Sequence, residues 1–529
     1  MADVDRGPRR GTGSVRKNIA LAAMLFAVSM TFIDQTIVAI ATPNLTQELS
    51  LSRAGAQWIV NAYLLALAAA FALGGRVADV AGHRNVVTVG IIGFAISSGL
   101  CGATPTNSLA EAWIITFRVT QGVSAAFMVP AALAVVISSF ALRERGRALA
   151  IFFGVSGGLT AIGPIAGGYL TQWTWRAIFW VNIPVAIIAL ILLALAHVKD
   201  QATRQRIDWL GAALVAVGMA LSVFGLQQTQ TWGWSNPATW ACIVVGLAVL
   251  VLFVRVELRT PSPLLRLEIF RGRAFLVDNG VLFFSMFAFV PVFFFASVYA
   301  QVSLGYDADS AGLFLMVFFA GFAPAAQIGG RIYDRQGAKR VVIQGCVLGT
   351  VGFALWGWKV TDLHFGAQWW SIVIAGAGIG FLLGPASTDA SNRAINASYG
   401  EVTGITQTVR NYGSSLGFAV LGSLLSGIFV SRLTDSLTGL GVPAAVVQQI
   451  ASGASGLSGS TSNAPPELQQ QIIQAVHTEF ATATRFVLWG MAIALAVALV
   501  ISLFHPGGLV EDGTATSDGT VASPPDATS

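Results

Sequence analysis

Gly75-Arg-Val-Ala-Asp79-Val-Ala-Gly82-His-Arg84 returns, altered, as Gly330-Arg-Ile-Tyr-Asp334-Arg-Gln-Gly337-Ala-Lys339. Each copy stands where a long apolar stretch runs out into a short charged loop. A glycine-spaced acidic turn repeated about 255 positions apart marks an internal duplication. It predicts two related membrane-embedded halves, an arrangement that places a transport site between the repeats.

The composition agrees. Of 529 residues, 55% are hydrophobic and only 10% charged, where a soluble domain carries about 25% charged residues. The chain therefore reads as an all-α polytopic membrane protein. At roughly 20 apolar residues per crossing it holds about fourteen spans. Six lie near 18–42, 56–78, 86–104, 110–139, 147–170 and 176–198, two near 208–229 and 237–258, and six near 274–300, 309–331, 339–359, 366–395, 400–430 and 482–505. The expected organisation is a short segment 1–17, a six-helix bundle 18–198, a two-helix insert 199–258, and a second six-helix bundle 259–505. A loop near 431–481 faces outward, with Pro465-Pro466-Glu467 opening a short amphipathic helix through Phe480. The Gly-, Ser-, Asp- and Pro-rich tail 506–529 reads as disordered.

Basic residues set the orientation. Most of the 30 Lys and Arg fall on the side of the N-terminus, among them Arg9, Arg10, Arg16, Lys17, Arg143, Arg145, Arg147, Arg266, Arg271, Arg273, Arg331, Arg335, Lys339 and Arg340. Under the positive-inside rule both termini are cytoplasmic. The net charge of +5 is thus topological and implies no nucleic acid. The stretch from Asn18 to Ala41 is too long for a signal h-region and contains Asp34. Cys101, Cys242 and Cys346 sit inside apolar spans without metal-ligand spacing, as small packing residues.

In order along the chain, the motifs resemble those of the major facilitator superfamily, and within it the fourteen-span drug:proton antiporters. Asp34-Gln-Thr36-Ile-Val38 through Ala41 and Pro43 is similar to the first-span signature, with Ala39 where Asn is usual. Gly75 to Arg84 resembles the superfamily loop motif, and Arg118-Val-Thr-Gln121-Gly122 the fourth-span motif. Gly154, Gly158 and Gly163-Pro164-Ile-Ala-Gly167-Gly168 resemble the fifth-span antiporter motif, followed by Trp175-Arg176 through Phe179, Asn182 and Pro184. Gly404 through Arg410 and Gly413 to Gly417 resembles the thirteenth span. The resemblance implies two six-helix bundles related by pseudo-two-fold symmetry with two extra helices between them. It assigns Arg118 to proton transfer, and implies that the bent fifth span seals a central cavity.

Physical chemistry singles out the same residues. A charge mid-span costs about 2.5–3.5 kcal/mol on insertion scales, so Asp34 in the outer half of span 1 needs a reason. It can bind a proton in one state and meet a cation in another; the alternative is a structural ion pair. Arg118 lies at comparable depth and cannot deprotonate, so it is expected to pair with Asp34 or with carbonyls, either as a relay or as an anchor between helices. Asp389 and Arg410, both in the inner half of the second repeat, are expected to pair with each other. Asp278 reads as an interfacial residue with access to water. With His197 and His505 at span ends, carboxylates are the expected buried proton carriers.

Gly75 and Gly82, like Gly330 and Gly337, are expected to let the backbone turn sharply. Asp79 with Arg84, and Asp334 with Lys339, are expected to cap helices and pair with bases, as a cytoplasmic latch or simply as well-capped turns. Gly154, Gly158, Gly163, Gly167 and Gly168 give one helix a small face for close packing, and Pro164 bends it. Among the many aromatics of spans 9 and 10, Phe287 and Phe294, with Gln327, are the candidates to line an apolar cavity for planar cations.

The expected function is export of amphipathic, often cationic small molecules in exchange for protons by alternating access. The alternative is export of one endogenous metabolite, antibiotic, lipid or siderophore. None of Lys17, Lys199, Lys339 or Lys359 follows Gly, so there is no nucleotide-binding phosphate loop, and no clustered catalytic set is visible. No cofactor is expected beyond the proton gradient. The expected partners are a small-molecule substrate, protons and lipid, with one chain sufficing, in a bacterial cell membrane.

Overall fold

The computed structural model describes residues 10–140, 148, 151–152, 155, 163–198, 207–261, 263–265, 267–393, 399–440, 442 and 466–508. These residues form thirteen helices long and apolar enough to cross a membrane. In chain order they are α1 (Arg10–Leu49), α2 (Arg53–Ala81), α3 (His83–Gly102), α4 (Ala110–Ser139), α5 (Ala177–Ala196), α6 (Trp209–Trp232) and α7 (Pro237–Glu257), then α8 (Arg273–Val302), α9 (Ala308–Gln336), α10 (Ala338–Lys359), α11 (Phe365–Arg393), α12 (Tyr399–Gly439) and α13 (Pro466–Leu503). Half of the fifth expected span, 147–170, lies outside the described residues; 163–173 is helical.

Duplication is visible in the packing. In the first half α2 and α3 both pack on α4, and α1 packs on α5; in the second, α9 and α10 both pack on α11, and α8 on α13. The closest pairs are made by glycines with no room for a side chain. A Cβ on Gly122 of α4 would lie 2.4 Å from the Tyr63 carbonyl of α2, and one on Gly376 of α11 would lie 2.0 Å from that of Phe318 in α9. With no water between apolar helices in lipid, such backbone approach supplies the van der Waals contact that holds them.

The repeated motif is a helix–helix corner in both halves. Gly82 (φ 95°) ends α2 and begins α3, and Gly337 (φ 77°) does the same between α9 and α10. Their amides bond to the Ala78 and Tyr333 carbonyls, at 3.0 and 2.8 Å. Only Gly adopts this left-handed region without strain. The earlier glycines do something else. Gly75 and Gly330 lie inside helices rather than at turns, because α2 runs on to Ala81 and α9 to Gln336.

Three other expectations are corrected. Helix α1 continues through Pro43 to Leu49, and α12 reaches Gly439, shortening the expected loop. The helix starting at Pro466 runs unbroken to Leu503 instead of stopping near Phe480. Residues 443–465 and the tail beyond Gly508 lie outside the described residues.

The insert is a wedge. Helices α6 and α7 pair with each other, and α6 also packs on both α2 and α12. Asn61 of α2, fully buried, ties this junction: its Nδ2 donates to Gln227 Oε1 of α6 (2.6 Å) and its Oδ1 accepts from Ser415 of α12 (2.6 Å). Ser222 and Thr229 of α6 add hydroxyl contacts to Tyr412 and Ser423 of α12.

Candidate functional site

Asp34 is buried inside the first half, 1% exposed, and faces neither lipid nor bulk water. Its Oδ2 accepts from Arg118 Nη1 at 2.6 Å, and its Oδ1 from Gln121 Nε2 at 3.1 Å. Arg118 Nη1 also donates to Gln121 Oε1 (2.7 Å), while Nε donates to the Ile59 carbonyl of α2 (2.7 Å). The guanidinium lies over the Tyr63 ring, 4.4 Å from its centroid. Three helices thus meet at one cation, as expected for a charge that cannot deprotonate to escape burial. Arg118 Nη2 is buried without a hydrogen-bond partner.

Of this site, sequence reasoning named Asp34 and Arg118 but gave no role to Gln121 or Tyr63. The i, i+3 spacing of Arg118 and Gln121 puts both on one helix face and was the available signal.

The fifth-span glycines abut this site. A Cβ on Gly163 would meet Thr36 and the Ile33 carbonyl, and one on Gly167 would meet Ile37 and Ile40, all flanking Asp34 on α1. Gly168 faces the other way: its Cβ position lies 2.8 Å from Asp309 Cα of α9, and that of Gly312 lies 2.5 Å from the Pro164 carbonyl. The 163–173 helix is therefore sandwiched between α1 and the second half. Gly154 and Gly158 lie outside the described residues.

Further contacts between the halves gather toward the end remote from the chain termini. Gln301 Nε2 donates to the Ile40 carbonyl (3.1 Å), and Gly422 of α12 abuts Gln57 of α2. At the same remote end, Trp175 donates to Glu48 (2.7 Å), and Arg176 bonds to Glu48 and stacks on Trp175. That clamp accounts for the motif following the fifth span.

The second half departs from expectation. Asp389 does not pair with Arg410. It is bound by Arg393 Nε (2.7 Å), His505 Nε2 (3.0 Å) and the Tyr333 hydroxyl (3.4 Å). Arg410 is half-buried on α12 and no ion pair joins it to Asp389. Asp278 is not interfacial; it is fully buried, 3.6 Å from His505 Nε2. His505 is itself 2% exposed, because the chain beyond α13 folds back over the helix ends. A position at a span end implies access to water, and here tertiary burial overrides it.

The aromatic candidates separate as well. Phe294, 4% exposed, packs against Phe295 and Phe418 within the core. Phe287 is half-buried with its backbone against Gly417, and Gln327 is exposed on α9. Most of the remaining phenylalanines knit α8 to α9: Phe289 stacks on Phe322 and Phe293 on Phe319. At the repeated motif, Asp79 Oδ1 is 3.9 Å from His83 Nε2; Arg84 and Asp334 are exposed, and Lys339 is half-buried.

This fold and its ordered motifs have known counterparts. The sequence profile of the Major Facilitator Superfamily matches residues 24–418. The chain belongs to that superfamily. It is 30% identical over 496 residues to a tetracenomycin C resistance and export protein of Streptomyces glaucescens, covering 91% of this chain and 89% of that one. A puromycin resistance protein of Streptomyces alboniger is 32% identical, covering 83% and 86%. A cephamycin export protein of Amycolatopsis lactamdurans is also 32% identical, covering 83% and 93%. Among solved structures, a bacterial homologue of the human lysosomal transporter Spinster superposes with a TM-score of 0.61 at 17% identity, covering 93% of this chain and 98% of that one. Likeness at that identity concerns the fold alone. The superfamily member described here is thus a multi-pass membrane transporter, similar in sequence to proteins named for drug and antibiotic resistance and export.

Proposed function

We propose that this transporter exports amphipathic, often cationic small molecules in exchange for protons, by alternating access across the bacterial cell membrane with both termini cytoplasmic. The observation that carries the reading is the sealed Asp34–Arg118 pair beside the helix that contacts the second half. The carboxylate already has its cation, so cargo need not touch it. A proton arriving on Asp34 removes the charge that holds Arg118, and Arg118 also grips α2 through the Ile59 carbonyl. Protonation is thereby linked to the packing of α1, α2 and α4, and through the 163–173 helix to α9. One chain contains all of these contacts, so it acts without a second copy. No cofactor beyond the proton gradient enters the scheme.

A second reading, export of one dedicated product, is favoured by the relatives whose names specify a single antibiotic each. A compound panel separates the two. In everted vesicles with an imposed pH gradient, several cationic dyes and drugs should each dissipate the gradient on addition. Response to a single compound class supports the dedicated exporter. Gradient-driven efflux that persists unchanged in Asp34→Asn refutes the coupling role.

A further inference from the structure

The cluster at the terminal-side end of the second half has a charge problem that one proton solves. Four ionisable groups meet there: Asp278 from α8, Asp389 and Arg393 from α11, and His505 beyond α13. Tyr333 of α9 and Asn392 complete it as neutral partners, the Asn392 amide donating to the Tyr333 hydroxyl at 3.2 Å. Lys339 of α10 lies beside Gly507, where a Cβ would come within 3.4 Å of its Cδ, and joins neither carboxylate. Arg393 balances one carboxylate through Nε and donates from Nη2 to the Gly507 and Gly508 carbonyls, at 3.0 and 2.7 Å. With both carboxylates ionised and His505 neutral, the buried group carries one uncompensated negative charge, which costs several kcal/mol away from water.

Two placements of a single proton restore neutrality. On His505 it would make an imidazolium. Burial opposes that charge, while the hydrogen bond to Asp389 and the nearby negative charges of Asp278 and Asp389 favour it, together carrying the pKa up to about 9. The backbone rules against that placement: the Gly507 N–H is directed at His505 Nδ1, 3.1 Å away, so Nδ1 must accept and only Nε2 can carry hydrogen. An imidazolium would set donor against donor there. Asp278 fits the other placement. Both of its oxygens are buried without a hydrogen-bond partner, a costly setting for a carboxylate and a far milder one for a carboxylic acid.

We propose that Asp278 is a second proton-binding site of this transporter, holding one proton as a neutral carboxylic acid beside His505 in this conformation. A metal ion in the same place is disfavoured by the Arg393 cation, 2.7 Å from the Asp389 carboxylate. The two halves are then poised oppositely. The Asp34–Arg118 pair is neutral without a proton, whereas the Asp278 cluster is neutral only with one. Proton binding here stands whether or not the chain exchanges protons for cargo.

The test is infrared spectroscopy on full-length protein in lipid nanodiscs near neutral pH, reading the carbonyl stretch of a protonated, buried carboxyl. The expected result is a band worth one carboxyl per chain, lost in Asp278→Asn and kept in Asp34→Asn. Histidine-labelled NMR on the same sample should show His505 protonated at Nε2 alone, assigned by loss of its signal in His505→Gln. Melting separates a proton site from a structural one. Asp278→Asn keeps the cluster neutral and should melt as the parent does, whereas Asp389→Asn removes the carboxylate that both Arg393 and His505 bind and should melt lower. A missing band, a band untouched by Asp278→Asn, or an imidazolium at His505 overturns the proposal. So does a band that appears only after metal chelation.

Discussion

Take the Asp34–Arg118 pair apart one partner at a time. Arg118→Met leaves the Asp34 carboxylate with Gln121 Nε2 as its remaining polar contact, and Asp34→Leu leaves the guanidinium with Gln121 Oε1 and the Ile59 carbonyl. Two unit charges about 4 Å apart in a medium of effective dielectric 20 attract by about 4 kcal/mol. Breaking a buried pair by removing one member costs about 3–5 kcal/mol. The two losses should nevertheless differ. The carboxylate can shed its charge by taking a proton, whereas the guanidinium cannot. Asp34→Leu should therefore be the worse of the two near neutral pH, and mild acid should rescue Arg118→Met alone. The double variant removes both charges and should recover most of the loss, since apolar replacement of a buried pair is often neutral or stabilising. The assay is thiol labelling of Cys101, which is fully buried in the first half, in a background with Cys242 and Cys346 replaced by alanine. Labelling of the worse single variant should rise by about two to four decades, the equivalent of about 3–5 kcal/mol in opening. A double variant that labels as fast as Asp34→Leu, or acid rescue of Asp34→Leu, would refute the reasoning.

Three further outcomes are expected. Gly312→Val pushes side-chain atoms into the Pro164 carbonyl, 2.5 Å from where Cβ must lie, so the remote end should open and cysteine cross-linking between positions 40 and 301 should fall. Asn61→Leu strands Gln227 Oε1 and the Ser415 hydroxyl in the core, at about 1–3 kcal/mol for each, and adding Gln227→Leu should return part of the lost melting temperature. Asp79→Ala, at the corner where α2 passes into α3, should slow turnover more than it weakens substrate binding; the reverse would make the motif part of the binding site.

Much of the architecture was legible because lipid imposes a strong rule on sequence. Every crossing needs about 20 apolar residues, and the duplicated motif announced two halves. The corner glycines were readable for a similar reason, since a helix that ends and restarts within one residue requires positive φ, and Gly82 and Gly337 supply it. Asp34 and Arg118 were legible as charges at matching depth on neighbouring spans, each too costly to leave alone. Lateral neighbours were not legible. The expected Asp389–Arg410 pair failed because depth says nothing about which side of a helix a residue faces. The interfacial reading of Asp278 failed, and the partner of His505 at its span end stayed hidden, because position along a span cannot show that the chain after Leu503 folds back over the helix ends.

Composition, the lengths of the apolar spans and the ordered, repeated motifs together determined that this is a duplicated helical membrane transporter and which charges must be accounted for. Tertiary structure alone decided the partners that depth could not name: Gln121 and the Ile59 carbonyl beside the Asp34–Arg118 pair, Arg393 and His505 with Asp389, Asn61 across three helices. The physical reason is that hydrophobic patterning acts along the chain and is written into it, while electrostatic balance acts across the bundle. Only there do helices far apart in sequence bring their buried charges and polar groups to within 3 Å or so of one another.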